Sequence, residues 1–324
     1  MRTSLIRASL VLALVSLLAG VGFTQQAEPD VYVTVSYIKV LPGQDEAYRT
    51  HLATAAKAFY KEAMAANPNF LGWSAARTMY QGVGEGPDFD YVAASVFAGS
   101  PPEPGANMDA LFQKATGMSQ ADYQKKLAGM RTMVGSEILR RRATTGLKPG
   151  SYKEGDIRVV NRFKIKPGMG DEYMAMSQTM TQPMMQARVA NGELKAWSMW
   201  SRVFPAGEAT SYDGMSVWYW KDLASAIKGL DPAKGLETFV KTHPGKNYAT
   251  FINNGRDYSE LQQRSIMQVV AMVERSGLAS PGRRVSVAPV ARHSPPGLAL
   301  GGAIAGPCLF RRPRCSGRSL PRAV

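Results

Sequence analysis

The chain is poor in the residues that thiol and metal chemistry need. It has two cysteines and three histidines in 324 residues. Both cysteines, Cys308 and Cys315, fall near its end. Residues 28 to 275 therefore contain no disulfide framework, thiol nucleophile or thiolate metal site. His51, His243 and His293 are far apart, none has a partner at metal-ligand spacing, and no HExxH or triad signature occurs. No metal or other cofactor is expected. The glycines of Gly82-Val83-Gly84-Glu85-Gly86 lie between two strand-like runs with no helix start or Lys after them, so they do not form a phosphate loop.

Long apolar runs are also scarce. The longest, from Leu10 to Ala19, follows Arg2 and Arg7 and precedes small residues. It is too short to span a bilayer comfortably and has the order of a secretory signal. We read residues 1–27 as a signal peptide, and the chain as exported, to a periplasm or beyond, without stable membrane insertion. Residues 276–324 contain no Asp, Glu or Lys but eight Arg, seven Pro and seven Gly. Such a segment cannot bury enough apolar surface to fold and reads as a disordered tail. It is either an Arg-rich binding arm or translation past the natural stop, and the second reading is favoured. The tail carries +8 of the +14 formal charge and the signal +2, leaving +4 on the body. A body so mildly basic, with no basic stripe, gives no footprint for nucleic acid.

What the body does have is an internal repeat. Pro42-Gly43-Gln44-Asp45-Glu46-Ala47-Tyr48 is echoed by Pro167-Gly168-Met169-Gly170-Asp171-Glu172-Tyr173. Gly72-Trp73-Ser74 answers to Ala196-Trp197-Ser198, and Phe89-Asp90-Tyr91-Val92 to Tyr212-Asp213-Gly214-Met215. In each copy a β-branched and aromatic run ends in Pro-Gly, an amphipathic helix follows, and two further strands precede more helix. The first copy reads as strands at 31–40, 70–80, 89–97 and 137–142, with helix from 44 to 66 and again up to about 133. The second reads as strands at 157–165, 194–204, 212–220 and 266–273. Pro183 is expected to kink the helix of 171–189. This gives two βαββαβ repeats, 28–143 and 156–275, joined by a linker at 144–155. Val33, Val35 and Tyr37 make one apolar face of the first strand; Tyr32, Ile38 and Val40 make the other. A sheet apolar on both faces needs cover on both.

A strand, Pro-Gly, an acidic helix start and a Trp-bearing second strand resemble the dimeric α+β barrel superfamily, most nearly its antibiotic-biosynthesis-monooxygenase-like group. The resemblance covers residues 30 to 275. It implies an α+β fold in which two ferredoxin-like repeats close an intrachain barrel, so that one chain is a monomer with an internal pseudo-dimer. The superfamily includes cofactor-free monooxygenases, haem enzymes of the chlorite-dismutase kind and isomerases. A haem-ligand role for His243 is thus implied only by analogy, and is disfavoured.

The candidate ligand-binding residues lie on the strands: Tyr37, Trp73, Asn161, Arg162, Trp197 and Trp200. Alternation points Trp197 and Met199 one way and Trp200 and Arg202 the other. An aromatic-lined cavity with a few polar groups suits a small apolar or aromatic molecule. Arg162, if internal, suits an anionic or enolate-like group; at a rim it is only a solvated charge. Met169, Met174, Met176, Met180, Met184 and Met185 could bind Cu(I) as thioethers, but Met174, Met180 and Met184 fit the apolar stripe and the cluster reads as core filler. Two functions remain open: a small-molecule-binding protein of monooxygenase-like kind with its cavity between the repeats, or a non-catalytic structural or interaction protein of the cell envelope. No catalytic residue is named by the sequence.

Overall fold

The computed structural model describes residues 29–82, 88–102, 108–207 and 210–275; the signal and tail readings lie outside them. The first repeat contributes β1 (Val31–Val40), β2 (Phe70–Gln81), β3 (Tyr91–Ala98) and β4 (Arg131–Thr145). The second contributes β5 (Ile157–Ile165), β6 (Ala196–Phe204), β7 (Gly214–Trp220) and β8 (Ser259–Glu274). All pair antiparallel into one closed barrel, in the order β1-β3-β2-β8-β5-β7-β6-β4. Each repeat supplies four neighbouring strands, and β2·β8 and β4·β6 close the circle.

β4 and β8 are longer than their sequence suggested. Residues 131–140 of β4 pair with β1, whereas Ile138 to Thr145 pair with β6 of the other repeat. β8 divides its length between β5 and β2 in the same way. The expected strands 137–142 and 266–273 are mainly the halves that close the barrel; the parts missed, 131–136 and 259–265, pair within their own repeat and are rich in polar residues. The helix read as running to about residue 133 accordingly stops at Ala128, and β4 begins three residues later.

Helices cover the outside. In the first repeat α1 (Asp45–His51) passes through a π turn (Leu52–Ala56) into α2 (Lys57–Ala66), and α3 (Asp109–Thr116) and α4 (Gln120–Ala128) follow β3. In the second, α5 (Gly170–Met176) passes through a π turn (Ser177–Thr181) into α6 (Gln182–Ala190). After β7 come α7 (Leu223–Gly229), α8 (Pro232–Thr242) and α9 (Tyr248–Tyr258). The two π turns lie 125 residues apart, and only the second is followed by a proline. The irregularity expected from Pro183 therefore belongs to the repeat: Pro183 starts α6, where a missing N–H costs least.

The Pro-Gly turns match in detail. Gly43 (φ 76) and Gly168 (φ 80) take the left-handed conformation, and Gln44 N–H and Met169 N–H donate to Leu41 and Lys166 carbonyls at 3.0 Å. Proline followed by a positive-φ glycine is the type II turn. Behind each turn an aspartate fixes the strand end: Asp90 accepts from Val40 N–H and Asp213 from Ile165 N–H, both at 2.8 Å.

The apolar residues form three cores. One lies beneath the first repeat's helices (Tyr48, Phe59, Trp73, Tyr123) and one beneath the second's (Tyr173, Met184, Trp197, Trp220, Phe239). The third fills the barrel, from Val33, Val35 and Tyr37 across to Trp200, Met215 and Tyr219. Each fully buried side chain of this kind contributes roughly 1.5–3 kcal/mol.

Candidate functional site

The barrel interior is not purely apolar. Strand alternation brings Tyr37, Arg162 and Glu137 inward at one end, and the loop before β7 adds Tyr212. The phenols of Tyr37 and Tyr212 each donate to a different oxygen of the Glu137 carboxylate, and lie 3.0 Å apart. Arg162 donates to Tyr37 Oη at 3.1 Å and to Gln263 Oε1 at 2.7 Å. Arg202 lies 4.0 Å above the Tyr212 ring, with Glu137 3.9 Å from its guanidinium. Glu137 is only 4% exposed. Burial, with the carboxylate alongside, pushes the Tyr37 phenol up to about 12 and raises Tyr212 further. These phenols are therefore proton donors at neutral pH. The network is one-sided: the repeat relation sets Tyr37 against Arg162, Phe89 against Tyr212 and, by strand register, Glu137 against Ser265.

The same end of the barrel leads into a cavity of about 70 Å³ lined by Val33, Val160, Ser74, Arg158, Arg162 and Trp200, among others. A larger one, of about 230 Å³, lies outside the barrel, beneath the first repeat's helices. Its walls are Tyr48, His51, Phe59, Tyr60, Trp73 and Tyr123, with Ser36 and Arg131 among its polar groups. Phe59 stacks on Phe112 at 4.2 Å and Tyr60 on Trp73 at 4.4 Å. His51 is the last residue of α1, directly before the π turn, and is 5% exposed. Its Nε2 lies 2.9 Å from Tyr123 Oη, and its Nδ1 has no partner.

Burial, then the neighbouring Lys126 and Arg131, lower the His51 imidazole to about 4, and burial raises the Tyr123 phenol. The pair is thus neutral at pH 7. If the phenol donates to Nε2 the imidazole proton sits on Nδ1; in the other tautomer Nδ1 is an acceptor. The pocket combines apolar aromatic walls with one imidazole nitrogen that has no partner among the described residues, and as N–H that nitrogen can hold a carbonyl or phenol oxygen.

The second repeat uses the corresponding space differently. At the positions of His51, Phe59, Tyr60 and Trp73 it has Met176, Met184, Met185 and Trp197, and these pack into one core with Phe239 and Trp220. Arg188 lies over Trp218 and Trp220 at 5.3 and 5.2 Å and donates to the Gly229 carbonyl at 2.7 Å. His243 has both ring nitrogens occupied, Nδ1 against Thr242 Oγ1 at 2.7 Å and Nε2 against the Thr179 carbonyl at 3.2 Å. The methionines serve as packing, as their stripe indicated.

The six residues singled out from sequence do not share one cavity. Tyr37, Arg162 and Trp200 face the barrel interior, so the internal alternative for Arg162 is the observed one. Trp73 lines the helix-covered pocket of the first repeat. Trp197 takes the same place in the filled second repeat. Asn161, the counterpart of Ser36, faces outward too, bonded to Ser216 Oγ at 3.3 Å and to Arg264 Nε at 2.6 Å. The reason is alternation: Trp73 and Trp197 stand an odd number of residues from Ala76 and Trp200 and so take the opposite face. Sequence reasoning missed Glu137, Arg158, Tyr212, Tyr123 and Gln263. Glu137, an acid flanked by Ser136 and Ile138 in a β run, was the one available signal.

Solved structures share this architecture. A candidate monooxygenase from Fusobacterium nucleatum is similar over 78% of this chain and 97% of its own, with a TM-score of 0.50 and 11% identity. The fold is that of the dimeric α+β barrel superfamily. A candidate monooxygenase from Lactobacillus acidophilus (TM-score 0.46, 9% identity, 76% of this chain and 97% of that one) and an anthrone oxidase-like protein (0.45, 10%, 78% and 95%) are further matches. No family model matches the chain. No curated protein matches it either.

Proposed function

We propose that this protein binds a small, mainly aromatic molecule bearing a carbonyl or phenol oxygen, in the pocket beneath the first repeat's helices. One observation carries the reading. The first repeat keeps about 230 Å³ open around a buried His51, where the second places methionines. An open apolar cavity forfeits packing energy, and among the described residues the second repeat buries the counterparts of Phe59, Tyr60 and Trp73, namely Met184, Met185 and Trp197, in a packed core; the contrast suggests a use for the space the first repeat keeps. The His51 N–H fixes the oxygen, and Tyr60, Trp73 and Phe59 hold the ring. The reaction class we infer is monooxygenase-like, in keeping with the name carried by the fold neighbour. We further propose that the protein acts outside the cytoplasm, on the strength of residues 1–27; the N-terminal sequence of the mature protein tests that. Among the described residues no helix is long and apolar enough to cross a membrane.

The test is a titration of the full chain with 1-naphthol, followed by native mass spectrometry and tryptophan fluorescence. Saturable binding of one molecule per chain is expected. Absence of binding, for 1-naphthol and for related carbonyl-bearing aromatics alike, would favour the non-catalytic reading.

A further inference from the structure

The cavity inside the barrel presents a separate chemistry, independent of the aromatic pocket. Arg158 points into it from β5 and is 7% exposed. Its Nη2 donates to Ser74 Oγ at 2.9 Å, and its Nε has no partner. The guanidinium lies 4.8 Å over the Tyr152 ring and 5.3 Å over Tyr219. No carboxylate comes within ion-pair distance of it among the described residues. The other buried arginines differ in this respect. Arg188 meets Glu193 at 2.6 Å, Arg202 faces Glu137, and Arg162 reaches Glu137 through Tyr37. The acid nearest in effect is Glu274, at the barrel mouth, whose carboxylate accepts from Gly150 N–H at 2.7 Å.

Burying a guanidinium without its anion is costly. Contact with two aromatic rings offsets only part of that cost. The repeat counterpart of Arg158 is Val33, which lines the same cavity, so the charge is not required to close this barrel. The cavity is about 70 Å³, room for roughly five water-sized positions. Around Arg158 its walls include Ser74, Tyr152, Tyr219 and the valines Val33 and Val160. It shares Ser74, Tyr152 and Tyr219 with a second space of about 150 Å³ lined by Leu147, Lys148 and Pro149 of the linker.

We propose that the barrel interior is a binding site for a short-chain carboxylate. The carboxylate accepts from the Nε and Nη donors of Arg158 and from Ser74, and two to four carbons lie against the valines. A planar two-oxygen anion matches the guanidinium fork, and the cavity size excludes long or branched acids.

The experiment is a calorimetric and thermal-shift titration of the full chain with acetate, propionate, butyrate and hexanoate. Chloride and propionamide at equal ionic strength serve as controls. Saturable binding of propionate or butyrate is expected, with no response to the amide and at least tenfold weaker response to hexanoate. Arg158→Met should weaken propionate at least tenfold while leaving 1-naphthol binding unchanged. Should that variant not fold, Ser74→Ala and Arg158→Lys should each weaken propionate several-fold. A response equal for propionate and chloride, or equal affinity in wild type and the Arg158 variants, would overturn the proposal.

Discussion

The two repeats have the same scaffold and spend it differently. Their Pro-Gly turns, π turns, aspartate-fixed strand ends and leading tyrosines, Tyr48 and Tyr173, coincide position by position. They diverge in the helices after the third strand, two in the first repeat against three in the second, and where side chains face a shared interior or a helix-covered space. In the first repeat His51, Tyr60 and Phe59 line an aromatic-walled cavity; in the second, Met185 and Met184 are buried in a packed core and Met176 is partly buried beside it. In the barrel, the first repeat supplies the carboxylate and the second the arginines that surround it. Duplication in one chain removes the constraint that both halves of a dimer be identical, and each half here has become what the other is not.

Three substitutions or conditions break this comparison, in decreasing order of effect. Glu137→Ser gives the first repeat the residue the second has in Ser265. It leaves Arg162 and Arg202 buried without their anion and two phenols without their acceptor. A loss of about 3–5 kcal/mol is expected, seen as a fall in Tm of roughly 6–20 °C for a domain of this size. Ser265→Ala, by contrast, should cost no more than about 1 kcal/mol. Equal effects would mean the network is not one-sided.

The second follows from His51. Its folded pKa, about 4, lies below the ordinary imidazole value of 6.5, so the unfolded chain takes up a proton that the folded one does not. The contribution to stability is complete above pH 6.5 and is lost as pH falls toward 4. Between pH 7.5 and 5 the loss should be on the order of 2 kcal/mol, measured as the shift in denaturant midpoint. His51→Met, which copies the second repeat, should flatten that part of the profile. A wild-type profile already flat over this range would contradict the buried neutral imidazole.

The third concerns how tightly the second helix layer is filled. A Cβ on Gly229 would come 1.9 Å from Trp220 Cη2. Alanine normally gains about 1 kcal/mol over glycine in a helix, whereas overpacking of this kind costs about 1–3 kcal/mol. Gly229→Ala should therefore not stabilise, and should destabilise by up to about 2 kcal/mol net, read from a thermal melt. A stabilised variant would show that this layer has room after all.

Much of the fold was legible because the repeat is local information. Strand, turn and helix recur at a nearly constant offset, and the alternation of Val33, Val35 and Tyr37 against Ile38 and Val40 names both faces of β1. The halves of β4 and β8 that pair with β1 and β5 of their own repeat were not legible, since Gly135, Ser136, Glu260, Gln262 and Arg264 break the apolar pattern of a strand. The site was legible only in part. Divergence at Tyr37/Arg162, His51/Met176 and Ala76/Trp200 marks where the copies part, and each pair proves to face an interior. Tyr123 escaped because a tyrosine on a polar helix has no sequence pattern that says it will be buried; Glu137 escaped although an acid within a β run was a signal, because nothing local names its partners.

The central claim is that the first repeat's open pocket is a binding site and the second's filled one is not. The most direct measurement compares 1-naphthol binding to wild type and to a variant carrying His51→Met, Phe59→Met and Tyr60→Met, with circular dichroism and a thermal melt verifying the fold. The account predicts saturable one-to-one binding that quenches fluorescence in the wild type, weakened at least tenfold in the folded variant. Equal binding by the two proteins would contradict it.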